Sequence, residues 1–244
     1  MDRTKDEEDM SDASGVQLQP VITLPENDRA TFIARVYQHL AMAIVVWLGI
    51  EVVLFYTGIA ERLDEFFFRG SGGATWLLML GGVMVVNWFA TSAAHDILNP
   101  SRQYLGLFAM AGAYAVMFAP FLHYVFDTDG AGTVWSAAVI TGIGFAALTG
   151  VAWFTRSDLS WIRPLLLWGG IGAMLLIVAA LLFGLHLGTW FSVGMIVLAG
   201  GSILYSTQNI IRNYPADAYV GASLQLFASV MTMFWYVLRL MMRR

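Results

Sequence analysis

The side chains able to do chemistry in this 244-residue chain are few, and most lie inside or beside long apolar runs. Two polar sets have helical spacing. Ser202, Ser206 and Asn209 fall at i, i+4 and i+7, and Gln225, Ser229, Thr232 and Tyr236 fall at i, i+4, i+7 and i+11. On helices each set forms a stripe along one face. Polar groups in hydrocarbon need partners, so the two stripes are expected to face each other, as interhelical hydrogen bonds or as the lining of a hydrated crevice. Neither stripe carries a charge. Glu51 is the one acid well inside an apolar run, and an intramembrane carboxylate is a functional-site hypothesis by default. The plainer reading is a carboxylate that reaches the interface toward Arg62 or Arg69.

Several other chemistries fail on the residue inventory. A retinal-type Schiff base needs a lysine in the last helices, and the single lysine is Lys5. The absence of cysteine removes disulfides, thiol catalysis and Cys-type zinc or iron–sulfur ligation. His39, His95, His123 and His186 sit far apart near run ends without metal-ligand spacing, and are read as interfacial histidines. Asp127–Gly130 (DTDG) is part of a calcium-loop pattern that lacks the later acidic ligand. A serine hydrolase would need a serine activated by a base, and no G-x-S-x-G elbow is present. No basic cluster precedes Arg239, Arg243 and Arg244, so no nucleic-acid partner is expected. Neither a metal nor a cofactor is expected.

The elements that must position these residues are membrane helices. The chain is 58% hydrophobic and 12% charged, with a mean hydropathy of +0.67, too apolar for an ordinary soluble domain. Residues 1–30 carry eight acids against three bases and no aromatic residue. Such a segment buries too little apolar area to offset its ordering entropy, so a disordered acidic tail is expected over 1–30 and a transmembrane domain over 31–244. A span needs roughly 20 apolar residues. Seven such runs are present, about 36–57, 75–94, 105–125, 134–154, 164–183, 189–211 and 219–241. Asn99-Pro100, Asp127–Gly130 and Tyr214-Pro215 punctuate them. The fold expected is an all-α polytopic bundle of seven transmembrane helices. Trp47, Trp76, Trp135, Trp161 and Trp190 are placed at the headgroup level. Gly142/Gly144, Gly169/Gly170/Gly172 and Gly200/Gly201 suit close helix packing.

Orientation follows from arginine placement in short loops. With the N-terminus inside, the inner segments carry Arg29, Arg35, Arg102, Arg156, Arg163 and Arg212, and the outer loops Arg62 and Arg69. A cytoplasmic N-terminus is therefore expected. Arg239, Arg243 and Arg244 argue the other way, unless the last helix is re-entrant.

Several short motifs, in order, resemble the Bax inhibitor (TMBIM-like) seven-helix proteins, bacterial members included. They are Phe32-Ile33-Ala34-Arg35-Val36-Tyr37 before the first span, Pro100-Ser101-Arg102 followed by Ala119-Pro120-Phe121, and Ile140–Ser160 with its Thr-x-x-Asp-Leu-Ser exit. Ile203–Ile211 (ILYSTQNII) and Leu226–Leu240 complete the set. The resemblance implies a regulator of calcium or proton leak in a bacterial inner membrane, or a protein there that restrains an FtsH-type membrane protease. It also implies a pH-responsive pair of acids joining the sixth and seventh helices, at positions occupied here by Ser206 and Ser229. Hydroxyls do not titrate near neutrality, and two neutral oxygens attract Ca²⁺ far less than carboxylates. Non-enzymatic modulation of membrane stress or protease quality control is therefore the first expectation. A pH-insensitive cation leak between helices six and seven, with Glu51 and Asp96 as the nearest acids, is the second.

Overall fold

The computed structural model of the protein describes residues 19–70, 73–155 and 157–242. Among them there are eight α-helices and no strand: α1 (Glu26–Tyr56), α2 (Ile59–Asp64), α3 (Gly73–Ala94), α4 (Pro100–Thr128), α5 (Ala131–Phe154), α6 (Ile162–Phe183), α7 (Thr189–Asn213) and α8 (Tyr219–Met241). All but α2 are long and apolar enough to cross a membrane, which gives the seven expected spans. All three punctuation sites fall at helix junctions. Pro100 opens α4, where its missing N–H is no loss. Gly130, between α4 and α5, and Gly184, at the end of α6, have φ of +80° and +66°, which favour glycine.

The first helix starts earlier than the composition implies. Glu26–Ala30 already belong to α1, and Val21–Thr23 form a 3-10 turn whose Val21 is fully buried. Residues 1–18 of the acidic segment lie outside the described residues, as do Arg156, Arg243, Arg244 and the side chains of Arg69 and Trp76. Val21 N–H donates to Tyr214 O at 2.9 Å, and Pro20 forms a bridge with Pro215. Pro20–Leu24 thus lie as a strap on the α7–α8 loop. At the other end of the bundle, Arg239 of α8 reaches Leu187 O, just before α7 begins. Both described termini therefore lie at opposite ends, and α8 is no re-entrant segment.

Helices α4 and α8 are the most enclosed, while α6 is peripheral and packs mainly on α7. An aromatic cluster ties α1, α4 and α8 together. Phe118 and Phe234 stack at 5.6 Å, and Trp47 sits edge-on to both. Trp235 meets Phe118 edge-on at 5.0 Å and stacks on Phe121 at 4.3 Å. Such contacts add about 0.5–1.5 kcal/mol each beyond area burial. Trp47 is thus a core residue, in contrast to the interfacial role expected of it. Trp135, Trp161 and Trp190 are exposed at helix ends, as expected.

The tightest helix contact lies at a glycine outside the conspicuous pairs. A Cβ on Gly106 would sit 2.6 Å from Ala90 O and 3.0 Å from Ala94 N, both rigid backbone of α3. Gly106→Ala is expected to cost about 1–3 kcal/mol by overpacking, read as a lower melting temperature in detergent. Gly112→Ala, on the same helix with nothing within 4 Å, should instead be neutral or stabilising. Equal behaviour of the two variants would contradict this packing.

Candidate functional site at the α7–α8 seam

Neither α7 nor α8 contains Asp, Glu, His or Lys, so the polar stripes that join them are neutral. Ser202 Oγ lies 3.0 Å from Ser229 Oγ, and Ser229 donates back to Gln225 O at 3.1 Å. With the Ser229 proton used on its own helix, Ser202 is the donor across the seam. Two stripes meet, as the helical spacing predicts. The partner differs from the one implied by resemblance: Ser202 faces Ser229, whereas Ser206, one turn further along α7, is fully buried with its Oγ in no hydrogen bond.

The remaining stripe residues diverge. Asn209 accepts from Asn213 Nδ2 at 2.8 Å, within its own helix. Thr232 donates to Ala228 O at 2.8 Å, also within its helix. Gln225 Oε1 accepts from Tyr214 OH at 2.8 Å, and His95 Nε2 lies 3.3 Å from the same hydroxyl. Burial pushes the Tyr214 hydroxyl up to about 12, so it remains a donor throughout the neutral range. Since Tyr214 also holds Val21 through its carbonyl, the strap and the end of the seam share one residue.

Buried Gln208 provides a second tie that residue spacing did not reveal. Its Oε1 accepts from Leu159 N–H and its Nε2 donates to Ser157 O, both at 2.7 Å. The exit of the fourth span is thereby clasped to the sixth. Ser160 N–H donates to Asp158 Oδ1 at 2.9 Å, and this bond holds the exposed carboxyl below the usual carboxylate range.

The two acids grouped in the cation-leak expectation are far apart. Asp96 lies in the α3–α4 loop, at the strap end, paired with Arg102 at 2.8 Å. Glu51 lies near the far end of α1, is 5% exposed, and has neither carboxylate oxygen in a hydrogen bond. It does not reach the interface as a snorkelling carboxylate would. The histidines are hydrogen bonded at span ends in three cases. His39 donates to Arg35 O and meets Tyr104 OH at 2.9 Å, and His95 donates to Thr91 O. His123 Nδ1 lies 3.1 Å from Oδ2 of fully buried Asp64 and 3.9 Å from Asp127. The ligand atoms of Asp64, His123 and Asp127 all lie within 4.8 Å of one another, a geometry that could hold a metal ion. His123 and Asp127 are an i, i+4 pair on α4, but Asp64 lies 59 and 63 positions away on α2, so the sequence gives no local signal for the third member.

With this geometry established, the sequence matches the family model described as "Inhibitor of apoptosis-promoting Bax1" over residues 29–244. The chain belongs to the Bax inhibitor family. An uncharacterized protein of Neisseria meningitidis serogroup A is 26% identical over 201 residues, covering 80% of this chain and 86% of the relative. An uncharacterized protein of Helicobacter pylori strain J99 is 28% identical over 149 residues, covering 58% of this chain and 62% of the relative. The chain therefore spans somewhat less than two thirds of that Helicobacter protein. Within this Bax inhibitor family chain, two motifs that carried the resemblance touch each other: Gln208 of the sixth-span motif holds Leu159 of the fourth-span exit.

Proposed function

We propose that this Bax inhibitor family chain is a non-enzymatic membrane regulator that acts by contact with another membrane protein, an FtsH-type protease being the partner of choice. The observation that carries the reading is the strap. Pro20–Leu24 is pinned to the α7–α8 loop through Val21 and Tyr214, and the acidic residues 1–18 precede this fixed point in sequence. An acidic segment adjoining a fixed point in sequence suits recognition by a charged partner surface. The seam itself is closed by uncharged hydrogen bonds and carries no titrating couple, which favours contact over pH-gated conduction. Arginines concentrated in the loops of the strap end support a cytoplasmic N-terminus in a bacterial inner membrane.

Co-purification of the full chain with a membrane AAA protease tests this, comparing wild type with a variant lacking residues 2–18 that retains the strap. The expected result is loss of the complex and faster or slower turnover of a membrane substrate in the deletion. Unchanged association and turnover would overturn the reading.

Glu51 supports a second reading, a cation leak. A carboxylate enclosed by the bundle without a donor is what a permeating cation would seek. Calcium flux into proteoliposomes that falls on Glu51→Gln is the expected sign. Flux equal to that of empty vesicles would remove it.

A further inference from the structure

We infer that the cleft between α6 and the α3–α4–α8 face is a binding site for an anionic phospholipid of the surrounding leaflet. Its acyl chain would lie along α6 and its phosphate against Arg239. The inference starts from a stripe of small residues that does not do what such stripes usually do. Gly170, Ala173, Ala180 and Gly184 follow one face of α6, and small residues normally let a second helix approach closely. Here that face borders a cavity of about 700 Å³. Gly170 and Gly184 have nothing within 4 Å of a built Cβ. The volume is in the range of sites for small-molecule ligands. From Gly170 to Gly184 the helix rises roughly 21 Å, the length of a long acyl chain.

The walls match that ligand in chemistry as well as in length. Leu80, Met84, Met117, Met174, Ile177 and Met195 supply an adaptable apolar lining. Met84 is 54% exposed, so the cavity communicates with the hydrocarbon from which a lipid would enter. At one end stand Arg239 and His186, and no Asp or Glu is among the described lining residues. Arg239 is positioned by a contact of its Nη2 with Leu187 O and by the Phe191 ring 6.0 Å from its Cζ. A guanidinium fixed at the mouth of an acid-free cleft selects an anion, and its fork matches a phosphate. Tyr236 lies one turn below Arg239 and also lines the cavity, where it offers a hydroxyl to the glycerol esters beside the phosphate.

Native mass spectrometry of the purified full chain in detergent tests the site. The protein is supplied with equal amounts of phosphatidylglycerol and phosphatidylcholine of identical acyl chains. Phosphatidylglycerol should be retained about tenfold more strongly, a factor that corresponds to about 1.4 kcal/mol. Arg239→Gln should reduce that preference to near unity, and Arg239→Lys should keep part of it. Ala173→Phe, which fills the cleft without touching charge, should weaken retention of both lipids. Equal retention of the two lipids by wild type, a preference that survives Arg239→Gln, or retention unaffected by Ala173→Phe would each overturn the assignment. If Arg239→Gln fails to fold, the wild-type preference and the Ala173→Phe result decide the matter alone.

Discussion

Replacing Glu51 with methionine is expected to stabilise the protein by about 1–3 kcal/mol, the range for removing a buried polar group that has no hydrogen bond. Both carboxylate oxygens are shielded by the bundle and neither meets a donor, and methionine fills a similar volume with an adaptable side chain. The gain would be read as a melting temperature several degrees higher in detergent. Glu51→Gln should gain less, because the amide carries its own unmet donors and acceptor. A lower melting temperature for Glu51→Met would mean that Glu51 is held by interactions that the bundle geometry does not reveal. A stabilised variant that also loses cation flux would fit the usual trade between stability and a strained functional group.

Introducing acids at the seam should create the pH response that wild type lacks. In the Ser202→Asp/Ser229→Asp variant, two carboxyls would replace hydroxyls whose oxygens lie 3.0 Å apart across α7 and α8. Like charges at short range in a low-dielectric site share a proton, so raising the pH drives them apart. Calcium flux through proteoliposomes is expected to change by up to about tenfold per pH unit, the limit for one titrating proton. Wild type should show a flat profile between about pH 6 and 8, since hydroxyls do not titrate there. Ser229→Asp alone leaves Ser202 as a donor to the new carboxylate, so the single variant separates the gain of one acid from the gain of a couple. A pH-dependent wild type, or a flat double variant, would show that α7 and α8 do not form the responsive seam.

The membrane architecture was legible because its causes are local. Each span needs only length and apolarity, and each break needs only a proline, a glycine or a short polar run. The seven runs therefore coincide with seven helices, and Asn99-Pro100, Asp127–Gly130 and Tyr214-Pro215 mark the junctions between them. The early limit of α1 was not legible in this way. Residues 21–30 are polar overall, yet Val21 is buried against the α7–α8 loop, a contact with residues nearly 200 positions away.

The site divides along the same line. Helical spacing alone dictated that Ser202, Ser206 and Ser229 occupy stripes, and the inventory alone excluded a titrating seam, because no acid or histidine is present on either helix. Which hydroxyl meets which was decided by the rotation and crossing of α7 against α8, and the result is Ser202 with Ser229. The same holds for Trp47 turning inward, for Gln208 reaching Leu159, and for Asp64 meeting His123. In a bilayer nearly every face of a helix is apolar, so hydropathy fixes where the chain crosses and leaves the phase of each helix about its axis unspecified. That phase is set by close packing at points such as Gly106 and by pairing of the few buried polar groups, and both belong to the tertiary structure.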